Sequence, residues 1–241
     1  MQMKRNELGV FVERAGAGPL QLTHVIGIGR NYADHASEMG GEVPDRPMYF
    51  TKNPASICLD GEPIVIPPIC RDSKTGGPEQ VDFEAELALV ICTPARDVAE
   101  ADAMDVLLGV CCANDVSARW WQKKGAGGQF CRGKSFDTFC PLGPSVVSVG
   151  EAGDLQSLSI QSRVSGETMQ SSSTGKMIFS VAQLIAELSK STTLMPGTVI
   201  LTGTPSGVGH GRTPPRYLRD GDVVEVEIEG VGVLRNRVVD G

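Results

Sequence analysis

Two glutamates one residue apart, Glu84 and Glu86, lead into the apolar stretch 81–91, and their placement is the first chemical signal in the chain. In an extended strand side chains alternate, so Asp82, Glu84, Glu86, Ala88 and Val90 share one face while Val81, Phe83, Ala85, Leu87, Leu89 and Ile91 share the other. Both faces become apolar past Glu86, as in a strand covered on both sides. Two like charges about 7 Å apart, at roughly 3.3 Å rise per residue, repel there unless a cation compensates, and hard divalent cations take oxygen ligands. The same pair equally suits an edge strand facing water. A third acid favours the cation: the apolar run 106–113 ends in Asn114-Asp115. Three carboxylates from two strands suit Mg²⁺ or Mn²⁺ and leave positions for water and substrate oxygens. Zinc is disfavoured, since neither paired cysteines nor a His-x-x-x-His spacing accompanies the acids.

His35 and Glu38 stand three residues apart on a predicted helix, close enough for the carboxylate to orient the imidazole and raise its basicity. Taken alone, such a pair also suits a solvated surface contact. Lys134, with Gly133 before it and Phe136 and Phe139 after it, reads as a lysine in a tight, partly buried turn where it could stabilise negative charge. His24 and His210 have no comparable context and are read as structural. Gly27-Ile28-Gly29 is not a dinucleotide loop, because Tyr32 occupies the third glycine's place, and the glycine-rich stretch 203–211 lacks the Gly-Lys-Ser/Thr of a phosphate loop.

The elements that must carry these residues are mostly strands. Short β-branched runs recur at 25–28, 64–66, 81–91, 106–113, 145–149, 158–164, 198–202, 223–228 and 231–239. The clearest helix covers 180–189, where Ser180 and Gln183 have capping-box spacing and Val181, Leu184, Ile185 and Leu188 form one stripe. Weaker helices are predicted over 31–39, 99–108 and 116–123. The order is not a strict βαβα alternation, so a doubly wound parallel sheet is unsupported. There is no repeat and no interdomain linker; residues 71–80 form the one conspicuous loop.

At 241 residues, with 41% hydrophobic and 21% charged residues, the chain suits one large domain. A net charge of −7 without a basic run excludes the electrostatic surface that nucleic acid or anionic membrane needs. Seven cysteines in mostly apolar settings, none in Cys-x-x-Cys spacing, read as reduced thiols. The charged first 18 residues lack a signal-peptide core, and no run reaches the roughly 20 apolar residues of a membrane span. A cytoplasmic protein is expected.

Five stretches in order resemble the fumarylacetoacetate hydrolase family. They are Gly27-Ile28-Gly29-Arg30-Asn31-Tyr32-Ala33-Asp34-His35, Phe83-Glu84-Ala85-Glu86, Ala113-Asn114-Asp115-Val116-Ser117-Ala118-Arg119, the run from Arg132 to Pro144, and Leu201-Thr202-Gly203-Thr204-Pro205-Ser206-Gly207-Val208-Gly209. The resemblance implies an α+β, β-rich fold, a mixed β-sandwich roll of that family's C-terminal domain type, with the metal site in its mouth and usually a homodimer. Residues 25–241 would form the single catalytic domain and 1–24 a short N-terminal segment, without the extra N-terminal domain of many relatives. Position by position, it implies Glu84, Glu86 and Asp115 as ligands of Mg²⁺ or Mn²⁺, with Ca²⁺ able to take their place in crystals. It also implies Lys134 and Thr138 as supports of the metal and its bound anion, His35 and Glu38 as an acid–base pair, and Arg30, Arg119, Gln122 and Thr204 as substrate contacts.

The implied activity is metal-dependent cleavage of a C–C bond in a small 2,4-dioxo acid such as an acylpyruvate, of the kind met in aromatic catabolism. His35 would take a proton from water, hydroxide would attack the 4-carbonyl, and scission between carbons 3 and 4 would release pyruvate or a related acid. The same site also suits decarboxylation of oxaloacetate-like acids, hydration of 2-oxo-enoates or isomerisation of unsaturated dioates. A non-enzymatic alternative is a retired module that binds metal and oxo acid. The length of the 71–80 loop blurs transfer of a particular substrate.

Overall fold

A computed structural model describes residues 1–71 and 78–241. The predicted 71–80 loop therefore lies largely outside the described residues. The fold is strand-rich, with curled sheets. Seven strands form the central sheet in the spatial order Met48–Lys52, His24–Gly29, Thr198–Leu201, Ala85–Ile91, Leu107–Asn114, Cys140–Val147 and Ile57–Leu59. A five-stranded sheet runs Glu167–Ser173, Ser159–Val164, Val223–Ile228, Gly232–Asp240 and Ile64–Ile66.

The period-two pattern explains how the central sheet is covered. Ala85, Leu87, Leu89 and Ile91 point to one side, where they meet Ile160, Val226, Ile228 and Leu234 of the second sheet and Val181, Leu184, Ile185 and Leu188 of the helix Val181–Ser189. Ala88 and Val90 point to the other, against Met3, Val10, Val12, Leu20 and Leu22. These last residues belong to or adjoin a three-stranded sheet, Met3–Asn6, Gly9–Val12 and Leu20–Gln21, so residues before 25 share the core of the rest. Each fully buried aliphatic side chain contributes about 1.5–3 kcal/mol. Many such contributions let the protein tolerate a cluster of buried charges at the sheet's end.

The helix Val181–Ser189 begins with the predicted box, Ser180 Oγ accepting from the Gln183 amide and Gln183 Oε1 from the Ser180 amide. Elsewhere the structure corrects the sequence reading. The stretch 81–91 is not one strand. Val81–Asp82 pairs with Ser117–Ala118 in a two-stranded ribbon, whereas Ala85–Ile91 pairs with Leu107–Asn114 in the central sheet. Both chains leave the sheet at the same level: the Asp115 amide donates to the Glu84 carbonyl at 2.9 Å, and the Glu84 amide to Asn114 Oδ1 at 3.0 Å. Glu84 and Asp115 thus face each other where the ribbon peels away. The 99–108 helix is a 3₁₀ segment, Glu100–Val106, cut short because the strand begins at Leu107, and the 116–123 helix is only Arg119–Gln122. The strands Met48–Lys52 and Glu167–Ser173, each partly exposed, lack the apolar pattern that revealed the others.

Candidate metal centre and cleft

The peeling of the ribbon brings Glu84, Glu86 and Asp115 together. All three are buried, at 5%, 1% and 1% exposure, and each offers an oxygen within 4.8 Å of the others. Three bases surround them. Lys134, the last residue of the short helix Phe130–Lys134, donates to Glu84 Oε2 at 2.8 Å and Asp115 Oδ2 at 2.5 Å. It is buried in a helix, not held in a partly buried turn. Arg119 Nη1 lies 2.6 Å from Glu84 Oε1, while its Nε donates to Asp82 Oδ2 at 2.8 Å. Lys52 pairs with Asp115 Oδ1 and donates to the Phe139 carbonyl at 2.7 Å.

Sequence reasoning missed Lys52 and misplaced Asp82. Lys52 shares the parity of Phe50 on its strand and is almost fully buried, a position where lysine is found only with a partner. Asp82, grouped by parity with the glutamates, lies outside the cluster of Glu84, Glu86 and Asp115 and meets Glu84 only through the shared Arg119. Its oxygens accept from Arg119 and from the amides of Gly209 and His210, at 2.8 and 3.0 Å. The Asp82 carboxylate thus fixes both Arg119 and the turn that follows Val208.

The charges do not balance. Asp82, Glu84, Glu86 and Asp115 are four acids against the three bases Lys52, Arg119 and Lys134, and Glu86 has no ion-pair partner among the described residues. Burial pushes the Glu86 carboxyl well above its usual range and the neighbouring Asp115 and Glu84 charges push it further, while the Gly203 amide donates to its Oε2 at 2.6 Å. Gly203 must be glycine for that contact: its φ is +95°, and a Cβ would lie 2.6 Å from Asn31 Cβ. Glu84 goes the opposite way, because Lys134 and Arg119 overcome burial and hold its carboxyl well below the usual range. Lys134 is likewise raised against the pull of burial by Asp115 and Glu84. A surplus of buried negative charge on hard oxygen donors fits a divalent cation held by Glu84, Glu86 and Asp115.

His35 opens onto the same cleft as Glu84 and Glu86, with Nδ1 3.1 Å from Glu38 Oε2. Glu38 is itself held, its Oε1 accepting from the Gly207 amide at 2.9 Å. With Nδ1 donating to this carboxylate, Nε2 is the basic nitrogen. Arg30, Arg119, Gln122, Lys134 and Thr204 also line the cleft, which encloses about 550 Å³ including its open mouth. Gln122 Oε1 accepts from Arg119, and the Thr204 hydroxyl donates to the Ala85 carbonyl at 2.9 Å while accepting from Gln170. Thr138 is not among these residues. Its Oγ1 accepts from the Val65 amide at 2.8 Å, so it braces the strand Ile64–Ile66 and its hydroxyl is turned to that backbone.

The profile of the fumarylacetoacetate hydrolase C-terminal region matches residues 24–239, and the chain belongs to the fumarylacetoacetate hydrolase family. Among its relatives, a protein of Xenopus laevis named as a mitochondrial oxaloacetate tautomerase is 47% identical over 215 residues, covering 89% of this chain and 65% of that protein. The chain thus spans just under two thirds of the length of that relative. A fumarylacetoacetate hydrolase from Exiguobacterium antarcticum superposes with a TM-score of 0.81 at 41% identity, over 95% of this chain and 81% of that one. A 2-hydroxyhepta-2,4-diene-1,7-dioate isomerase from Mycobacterium marinum superposes with a TM-score of 0.77 at 36% identity, over 96% of this chain and 77% of that one. Among the described residues no helix is long and apolar enough to cross a membrane.

Proposed function

We propose that this protein is a divalent-cation-dependent enzyme of small 2-oxo acids, whose central step is proton transfer between carbon 3 of the substrate and His35. The observation that carries this reading is the convergence of three buried carboxylates and a carboxylate-oriented histidine on one cleft. A cation held by Glu84, Glu86 and Asp115, Mg²⁺ or Mn²⁺ by the hardness of its donors, would supply a Lewis acid for the carboxylate and keto oxygens of a 2-oxo acid. His35 Nε2 would take or return the proton at carbon 3, while Glu38 fixes the ring and stabilises its protonated form. Lys134 and Arg119 bring positive charge to the cleft floor, which favours the substrate form whose negative charge has moved onto oxygen. Gln122 keeps Arg119 pointing along the cleft.

With oxaloacetate this chemistry is keto–enol exchange, the reaction named for the Xenopus relative. A second reading is hydrolysis of a 2,4-dioxo acid, because the same dyad could deprotonate a water for attack on the 4-carbonyl. A fumarylacetoacetate hydrolase among the structural neighbours favours it. The test supplies chelator-treated protein with Mg²⁺ or Mn²⁺ and offers oxaloacetate, acylpyruvates and 2-oxo-enoates. Loss of the enol absorbance reports tautomerisation and release of pyruvate reports cleavage. Turnover of any of these acids restored by metal supports the proposal. Full turnover in chelator, or none on any 2-oxo acid with metal, overturns it.

A further inference from the structure

The strand that leads away from the glutamates loses one neighbour just before it reaches them. Thr198–Leu201 pairs with it through Val199 and Val90, Ile200 and Leu89, and Leu201 and Ala88, and the Thr202 amide still donates to the Leu87 carbonyl at 3.0 Å. There the partner backbone turns off, and the next amide, that of Gly203, goes to Glu86 Oε2. The following backbone groups on that edge belong to Ala85, the residue between Glu84 and Glu86, and buried backbone groups need partners. Side chains take the place of the missing strand. The Thr204 hydroxyl donates to the Ala85 carbonyl at 2.9 Å, and the Ala85 amide donates to Gln170 Oε1 at 3.0 Å.

Gln170 comes from the second sheet, and a bulge aims it. Ser162 faces Gln170 but Arg163 faces Thr168, so Met169 is one residue extra in the strand Glu167–Ser173. Met169 and Gln170 are consecutive and both buried between exposed Thr168 and Ser171, which regular alternation would not give. The Gln170 amide is then fully engaged: Nε2 donates to Thr204 Oγ1 at 2.7 Å and to the Pro205 carbonyl at 2.8 Å, and Oε1 also accepts from the Ser162 hydroxyl at 2.8 Å. Only one orientation serves, since exchanging nitrogen and oxygen would set donor against donor at the Ala85 amide and acceptor against acceptor at Pro205. Gln170, Thr204 and the two polar groups of Ala85 thus close a hydrogen-bonded ring.

We infer that Gln170 is a positioning residue for the cation site: through its ring with Thr204 and Ala85 it fixes the peptide between Glu84 and Glu86, and so sets how far apart the two carboxylates stand. This rests on the cation reading proposed above. Gln170 is absent from the lining of the cleft, and it acts on the acids only through Ala85 and Thr204. A ring in which every donor has its acceptor holds that peptide in one orientation, because turning it would orphan several buried groups at once.

The test is titration with Mn²⁺, read by electron paramagnetic resonance without any substrate, of the wild type, Gln170→Met, Thr204→Val and the double variant, with melting temperatures of the metal-free proteins recorded alongside. Methionine keeps the length of the side chain and deletes its amide, and valine keeps the shape of threonine without its hydroxyl. Groups that orient a metal's ligands typically contribute about 10–100-fold in affinity, so Gln170→Met should weaken Mn²⁺ roughly tenfold, and Thr204→Val should weaken it too. Both act on the same peptide, so the loss in the double variant should fall well short of the product of the single losses. A side chain serving the fold alone would lower the melting temperature and leave the Mn²⁺ dissociation constant of the folded protein unchanged. Mn²⁺ affinity of Gln170→Met within about twofold of wild type, or losses that multiply in the double variant, overturns the inference and leaves the cation reading standing. Should Gln170→Met not fold by circular dichroism, Thr204→Val decides: weakened Mn²⁺ supports the ring and unchanged Mn²⁺ overturns it. Failure of the wild type to bind Mn²⁺ overturns both.

Discussion

Lys52 lies beyond the cleft lining and yet supports Asp115, so its removal tests how the charges of the centre are held. Lys52→Met keeps the aliphatic stem and deletes the ammonium that pairs with Asp115 and satisfies the Phe139 carbonyl. Breaking a buried pair from one side costs about 3–5 kcal/mol, because the remaining charge stays buried without its partner. Lys134 still touches Asp115 Oδ2, which places the expected loss toward the lower end of that range. For a chain of this length each kcal/mol shifts the melting temperature by about 2–4 °C, so a drop of roughly 6–12 °C is expected in chelator at neutral pH. Bound Mn²⁺ stabilises only the folded state, and with a positive charge removed from beside Asp115 its stabilising shift should be larger than in wild type. Lys52→Met with Asp115→Asn should recover part of the loss, since no unpaired charge remains. Differential scanning fluorimetry with and without Mn²⁺ measures all three. A melting temperature within about 2 °C of wild type in chelator, or a double variant less stable than the sum of the single losses, would refute the pairing argument.

Glu86→Gln should abolish the stabilisation by Mn²⁺ while raising the melting temperature of the metal-free protein near pH 7, read in the same assay. The sign follows from the raised carboxyl of Glu86: its favourable contribution is complete below the unfolded value near 4.5 and is lost as pH rises through the higher folded value, a penalty glutamine does not carry. His35→Ala should lower kcat by about 10²–10⁴, the usual contribution of a positioned general base, with Mn²⁺ affinity unchanged by titration. Glu38→Gln should do less harm, because the geometry remains and only the charge is lost. We also propose that the chain forms a homodimer, as the family resemblance implies. Light scattering at micromolar concentration should give twice the monomer mass, and a monomer there would contradict it.

The sequence made the acid cluster readable because Glu84, Glu86 and Asp115 stand where apolar strand runs end, and burial there is written into their neighbours. The helix Val181–Ser189 was readable for a similar reason, since its cap and stripe are local. The break between Asp82 and Ala85 was not, because alternation continues straight through it. What bends the chain is the exchange of partner strands, with Asn114 and Asp115 bonding Glu84 across the junction. That long-range event also leaves Asp82 outside the three-acid cluster, where it serves Arg119 and the Gly209 turn. Lys52 was hidden by its strand, where Met48 and Tyr49 on opposite faces are both exposed, so that no apolar rhythm marks the lysine at its end as buried. Thr138 shows the reverse failure: a position implied by resemblance near the centre spends its hydroxyl on the Val65 backbone.

In the proposed function the chain moves a proton at carbon 3 of a 2-oxo acid through His35 and only with a divalent cation held by the three acids. Proton NMR of oxaloacetate in deuterated buffer, recorded with Mg²⁺-loaded protein, chelator-treated protein and Mg²⁺-supplied His35→Ala, tests it most directly. Loss of the carbon 3 proton signal should be accelerated by the loaded wild type, and in both other samples it should fall to the rate of protein-free buffer with the same Mg²⁺ or chelator. Exchange as fast in chelator, or as fast without His35, would contradict the account.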